Sequence, residues 1–342
     1  MPLIFALYGM LLAHGNYLFI GAGIATQISG ILDQLLKHNP ATYEIHVIGA
    51  KNTKKFLMKF NPREFMHCPL PKLKRPYFFP IISSAVIAQA MTRSNDQKID
   101  GWVEEASDAG GHSMNPRGKV ILTDDGQPIY GKRDEFDYQL LRDIGLPFYR
   151  AGACASPEAL AQAQSLGAIG IQVGTIFSLC DISGINTIIC NYIRKEAYNR
   201  RLIIFNDPRI SPTGFTFKVA RIPGTIGDST IYTLRRRICD IGGLIQPYLR
   251  DNGTVGYRCP AEPEKAYVFK EGRIEDTIGR GCLCNGLFST VDLGQRLLQG
   301  LLEPPIVTQG QNLDFLQHLM HNEDDDYTVD DVFNYLLSRC SI

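Results

Sequence analysis

Apolar residues recur along the first half of the chain in runs of strand length, and each run hands over to glycine or another small residue. The runs are Tyr17 to Ile20 before Gly21-Ala22-Gly23, Phe78 to Ile82 before Ser83-Ser84, Trp102-Val103 before the stretch EEASDAGGHS (Glu104 to Ser113), Pro147 to Arg150 before Ala151-Gly152-Ala153, and Ala168 to Val173 before Gly174-Thr175. Between them, apolar positions return at helical spacing over 26–36, 84–91, 134–144 and 156–166. Strands alternating with helices predict parallel βα units, hence an α/β fold. The sharpest unit is the last: Ser156 is a natural N-cap with Pro157 at the first helical position, and the helix stops at Gly167, where the next strand begins. Asp125-Gly126, between Val120-Ile121-Leu122 and Pro128-Ile129-Tyr130, predicts a hairpin inserted after the histidine loop. A second hairpin is expected within Tyr43 to Met58.

After about Asn206 the pattern changes, because Asp207 to Asn285 carries many Gly, Pro and Arg and little regular periodicity. Two regions are therefore expected, a βα domain over 1–205 and an appended loop-rich and helical region over 206–342. The tail returns to helix, with Thr328-Val329-Asp330-Asp331 forming a capping box. The acidic run Glu323 to Asp326 lacks the glycine and oxygen spacing of a calcium loop, so it is expected to be a solvated approach to that helix. Leu3 to Leu12 is apolar, but no Lys or Arg precedes it and His14-Gly15-Asn16 interrupts it well short of the ~20 residues of a membrane span. A buried helix leading into the first strand is expected.

The 342 residues carry 35 basic and 35 acidic side chains, so no net field recruits nucleic acid or an anionic membrane. A small-molecule substrate is the expected partner. Nine cysteines scattered over a long chain fit reduced thiols better than a disulfide framework, which favours the cytoplasm.

In βα folds ligands sit at the carboxyl ends of the strands, where all these glycine-rich stretches fall. Gly152 and Ala153 opening onto the Ser156 helix, together with Gly174 and Thr175 one unit later, offer backbone N–H groups, a hydroxyl and a helix N-terminus to a phosphate. Tight packing of strand against helix is the competing structural explanation for such glycines. His112 follows Gly110 and Gly111, which let a flat ligand approach the backbone; Glu105 stands at the strand end and Asp108 is placed to orient the imidazole. With an ordinary pKa of ~6.5, histidine removes a proton at neutral pH. Cys154, beside the phosphate loop, is either a lowered-pKa thiol or a packing residue.

These pieces, GAGI at 21–24, PIISSA at 80–85, EASDAGGH at 105–112, AGACASPE at 151–158 and IQVGTIF at 171–177, resemble the nitronate monooxygenase (2-nitropropane dioxygenase) family of FMN-dependent (β/α)8 TIM-barrel enzymes. Their order and spacing match along most of residues 10 to 180. The stretches RRICDIG, GYRCPAEP and GCLCNGL are similar to the carboxyl region of bacterial members grouped with trans-acting enoyl reductases. The resemblance implies FMN as cofactor, its phosphate on Gly152, Ala153, Gly174 and Thr175. It also implies Ser83 and Glu105 near the flavin, Gly21 and Gly23 along the ring, Gly110 and Gly111 beside it, and His112 as catalytic base. The implied reaction is oxidation of alkyl nitronates with oxygen. FMN-dependent enoyl reduction linked to polyketide or fatty-acid synthesis is the alternative, and a degenerate, non-catalytic binding module is a third reading.

Two departures from the family follow. Its phosphate loop usually carries a second glycine where this chain has Ala153, and the Tyr17 strand corresponds to the fourth of eight barrel strands. The barrel is therefore expected to be truncated at the amino terminus, with strands 4–8 present and an open edge at Tyr17 that calls for a homo-oligomer or a complementing amino-terminal fragment. No metal is assigned: Cys239, Cys259, Cys282 and Cys284 are read as ordinary buried cysteines, with a tetrahedral zinc site as the alternative.

Overall fold

The structure is a computed structural model that describes residues 3–21, 25–51, 55–93, 98–296, 300 and 302–339. Its strands, in chain order, are β1 (Tyr17–Ile20), β2 (Ala41–Ile45), β3 (Phe56–Phe60), β4 (Tyr77–Ile82), β5 (Trp102–Glu105), β6 (His112–Ser113), β7 (Phe148–Ala151), β8 (Gly170–Gln172), β9 (Ile204–Asp207), β10 (Thr216–Ala220), β11 (Gln246–Leu249) and β12 (Val255–Arg258). The five apolar runs form one parallel sheet in the order β1-β4-β5-β7-β8. The chain is thus a mixed α/β protein built on a five-stranded parallel sheet.

That sheet is strongly curled. Phe19 on β1 and Tyr149 on β7 lie three strand spacings apart, roughly 14 Å in a flat sheet, yet their ring centroids are 6.3 Å apart. Side chains alternate across the pleat. Phe78, Ile82, Trp102 and Phe148 point outward into the helical layer, whereas Phe79, Val103, Ala151 and Tyr149 pack within the concave face. Toward β1 this face opens: Tyr17 and Phe19 are about half exposed. Between β1, β8 and the helix Val329–Leu337 lies an apolar cavity of ≈ 750 Å³ bordered by Tyr17, Phe19, Tyr149, Val173 and Phe333.

The predicted helices are found at Ile28–Leu35, Ala85–Thr92, Tyr138–Ile144 and Pro157–Ser165. The third starts four residues later than its periodicity suggests, because Asp137 caps it through Leu140 N while Asp134 closes a preceding 3-10 turn. Ser156 caps the fourth through Ala159 N. Leu3–Leu12 is a helix burying Ile4, Leu7, Tyr8 and Leu11 against Ile28, Leu32 and Phe78. No helix among the described residues is long and apolar enough to cross a membrane. The hairpin expected within 43–58 is β2–β3, paired from Ala41↔Phe60 to Ile45↔Phe56. The one at Asp125-Gly126 is reduced to a single bridge, Leu122↔Pro128, with Ile121 and Ile129 exposed.

The later region is bound into the first. β9 spans the proposed boundary at 205 and pairs with β10, and β10 pairs with β6, so a three-stranded antiparallel sheet incorporates His112 itself. The capping box at Thr328 and Asp331 is formed, and its helix buries Val332 and Leu336 beside Ile176 and Ile193. The acidic run before it pairs outward, with Lys195 2.7 Å from Glu323 and 3.0 Å from Asp324.

Candidate functional site

The loops after β5 and β7 meet edge to edge. Ala106 N donates to Ala151 O at 3.0 Å, and Gly152 has φ +98°, where a Cβ would lie 2.6 Å from Asp108 Oδ1 and 2.8 Å from the Ala106 Cβ. Only glycine permits that approach without displacement. Ala153 follows with φ +46°, a left-handed conformation for a residue with a Cβ. A glycine would meet this backbone demand without cost, and the chain meets it with alanine.

These loops, the turn after β8 and the segment 308–312 enclose a cavity of ≈ 370 Å³. Glu105, Gly110, Gly111, Gly152, Ala153, Gly174 and Thr175 all line it. Four other positions lie elsewhere or outside the described residues. Ser83 borders an adjoining cavity of ≈ 620 Å³ that shares Glu105, and its carbonyl accepts a bond from Arg117. Gly21 sits against Ile81, outside both linings, and Gly23 lies outside the described residues. His112 lines neither cavity: its Nε2 is 2.7 Å from Ser211 Oγ and its ring stands edge-on to Phe217 at 4.9 Å. Burial holds its pKa below the ordinary value, so the imidazole is neutral at pH 7. The partner expected for it, Asp108, instead buries Oδ1 against Gly152 without a hydrogen bond.

Three contributors come from parts of the chain that periodicity left blank. Thr308 Oγ1 accepts from Gly111 N at 2.8 Å, and Gly310 N donates to Thr175 Oγ1 at 2.8 Å, so this segment ties the β5 loop to the β8 turn. A Cβ on Gly110 would meet Gly310 N at 2.9 Å, which accounts for the first glycine of the GGH element. Between them Gln309, 1% exposed, accepts from Ser178 Oγ at 2.8 Å and leaves Nε2 buried without an acceptor. Such an orphan donor suits an anionic or carbonyl ligand. The third contributor is Lys218 on β10, fully buried, whose Nζ donates to Ser107 O at 2.6 Å and to Ser113 Oγ at 3.0 Å. Burial pulls its pKa down to about 8. The signals were a two-residue apolar run before Thr308-Gln309-Gly310 and a lone lysine inside Phe215 to Ala220.

Two carboxyls at the end of β5 are shifted the other way. Burial raises Glu104 and Glu105 to about 7 each, against the opposing charges of Arg150 and Lys218 respectively. Both keep a proton in the folded state that the unfolded chain loses near 4.5, so folding takes up protons between these values and stability falls as pH rises through that window. Thermal melts are expected to drop from pH 5 to pH 8. Glu105→Gln should recover on the order of 2 kcal/mol at pH 8 while changing little at pH 5; equal effects at both pH values would count against the shifted carboxyl. Cys154 lines the same cavity but is 3% exposed, donates to Gly152 O at 2.9 Å, and has its thiol pushed up to about 11 by burial, which favours packing over reactivity.

No described protein family and no curated protein matches the sequence. Among solved structures the chain is similar to FabK from Thermotoga maritima, at 15% identity over 97% of this chain and 70% of that one, with a TM-score of 0.47. A nitroalkane oxidase from Streptomyces ansochromogenes aligns at 18% identity over 42% of this chain and 38% of that one, with a TM-score of 0.29.

Proposed function

We propose that the chain is an FMN-dependent oxidoreductase acting on alkyl nitronates. The observation that carries this reading is the convergence of Glu105, Gly111, Gly152, Ala153, Gly174 and Thr175 on one cavity that Gln309 also lines. The lining fits the cofactor. Its volume falls within the range of roughly 300–1,000 Å³ usual for ligand sites, and the space a Cβ on Gly174 would fill is open. Gly152, Ala153, Gly174 and Thr175 would hold the phosphate. FMN would supply the redox chemistry. The protein would supply the rest: Glu105, protonated below about 7, avoids placing a second charge beside a phosphate, and His112, which stands outside this lining on Ser211 and Phe217, is the base that the sequence resemblance implies.

Enoyl reduction is the second reading, favoured by the apolar ≈ 750 Å³ cavity, which shares Gln172 and Val173 with the site and suits an acyl chain. Purified full-length protein should be yellow, or turn yellow with added FMN, and His112→Ala should keep the flavin and lose at least about tenfold in nitronate turnover. Flavin reduction by a nicotinamide coenzyme, with no turnover of nitronate, would replace the first reading by the second. A preparation that stays colourless with FMN overturns both and leaves a binding module.

A further inference from the structure

The ≈ 370 Å³ cavity carries the wrong charge in its wall for an anion. Glu105 and Asp108 are carboxyls, and among the described residues no lysine, arginine or histidine lines it. Asp108 also lies at the proposed phosphate end, since a Cβ on Gly152 would stand 2.6 Å from its Oδ1, and that oxygen is buried without a hydrogen bond. Backbone N–H groups and a threonine hydroxyl can orient a phosphate, but they set no full charge against it. Entry of a phosphate into such a lining calls for a cation close behind the wall.

The lysine of β10 stands there. Lys218 N donates to Gly111 O at 2.9 Å, and its Nζ donates to Ser107 O at 2.6 Å and to Ser113 Oγ at 3.0 Å, so one residue grips the loop after β5 at both ends and near its middle. Ser107 O belongs to the peptide unit that leads into Asp108, which puts the ammonium one peptide away from that residue. Ser113 is fixed in turn, its Oγ 3.0 Å from Thr216 Oγ1.

Lys218 differs from the other buried cations in having no ion pair. Lysine is almost never fully buried unless it is paired, because taking an ammonium out of water is costly. Lys218 is 0% exposed, yet among the described residues no carboxylate is in ion-pair contact with it. Arg235, by contrast, lies 3.1 Å from Glu303. A neutral donor would satisfy a carbonyl and a hydroxyl, so tethering the loop does not by itself call for a charge. The charged groups that face Lys218 are Asp108 and Glu105, the two carboxyls of the cavity wall, and both favour its protonated form. An unpaired cation behind an acidic wall accounts for both anomalies together.

We propose that Lys218 supplies the counter-charge that lets this cavity accept a phosphate-bearing ligand, acting through the loop after β5 without touching the ligand. The proposal rests on the reading of the cavity as the FMN phosphate site and deepens it: affinity for the phosphate is set from β10 as well as by the glycine loops.

The test compares FMN with riboflavin, which lacks the phosphate, in fluorescence titrations of the full chain at pH 6.5, below the Lys218 pKa of about 8. Lys218→Met should weaken FMN by at least about tenfold and riboflavin by less than about threefold. Asp108→Asn, which takes a negative charge out of the wall, should do the reverse and tighten FMN while leaving riboflavin unchanged. Equal loss of both ligands in Lys218→Met would make the lysine a tether only and overturn the proposal, as would FMN binding that the substitution leaves intact. If melting curves show that Lys218→Met does not fold, Asp108→Asn decides with the lysine in place, and no gain of FMN over riboflavin overturns the proposal. Inorganic phosphate at constant ionic strength separates this from the cofactor reading, because it should raise the melting temperature of the parent and not that of Lys218→Met. A chain protected in this way that binds neither flavin keeps the counter-charge and loses the cofactor. A yellow chain whose Lys218→Met variant holds FMN as tightly as the parent loses the counter-charge and keeps the cofactor. A parent that responds to neither phosphate nor FMN overturns both.

Discussion

Gly152→Ala is expected to destabilise the protein by about 3 kcal/mol and, on the proposed function, to weaken FMN binding by about two orders of magnitude. The added methyl would be forced into a backbone conformation at φ +98° that side chains rarely adopt, 2.6 Å from Asp108 Oδ1 and 2.8 Å from the Ala106 Cβ. The Asp108 carboxyl could rotate away, but the Ala106 Cβ cannot withdraw, because Ala106 N is tied to Ala151 O. The loops after β5 and β7 would part, and the cavity wall with them. Gly174→Ala provides the contrast. Its φ is −122° and nothing lies within 4 Å of the new methyl, so the fold should melt within about 0.5 kcal/mol of the parent. The methyl would nevertheless occupy space the proposed phosphate needs, and affinity should fall. Melting curves and FMN fluorescence titrations separate the two effects. If Gly174→Ala binds FMN as tightly as the parent, the phosphate does not sit there; if Gly152→Ala melts unchanged, the reason given for that glycine is wrong.

The two glycines also show which features the sequence makes legible. Short apolar runs ending in glycine locate the parallel strands and their carboxyl ends, because period, length and turn chemistry are local. The curl of the sheet is not local: it is set by how Phe19, Phe79 and Tyr149 close on one another across strands far apart in the chain. Nor is the placement of His112. Its neighbours Ser211 and Phe217 lie about a hundred residues away, and the strand that carries it has two residues, too few for any periodicity. Gln309 and Lys218 escaped for the same reason. A lone polar residue in a buried run reads locally as an exception, and only the assembled fold shows that Lys218 reaches the Ser107 loop and that Gln309 is left with an unpaired donor.

The buried pair between Arg235 and Glu303 should give the largest loss of stability from a single substitution. Their side chains are 2% and 0% exposed, with Arg235 Nε 3.1 Å from Glu303 Oε1. Arg235 has further support, since its guanidinium donates to Tyr232 O and to Arg280 O at 2.6 Å and lies 4.0 Å from the Tyr232 ring. Glu303 has less, because Oε2 is buried without a partner. Removing the arginine therefore leaves the worse orphan, and Arg235→Met is expected to cost about 3–5 kcal/mol. Glu303→Leu should cost less, since the guanidinium keeps its carbonyls and ring. The double variant should be more stable than Arg235→Met alone, because an apolar pair removes the desolvated charge along with its partner. The pH dependence has a definite sign. Burial already raises the pKa of Glu303 even with Arg235 opposing, and without the arginine it rises further, so the carboxyl stays protonated in the folded state at acidic pH. A raised carboxyl loses stability as pH climbs through its folded pKa. The penalty of Arg235→Met should be larger at pH 8 than at pH 5 in denaturant titrations, and a larger penalty at pH 5 would refute the account of Glu303 as the orphaned charge.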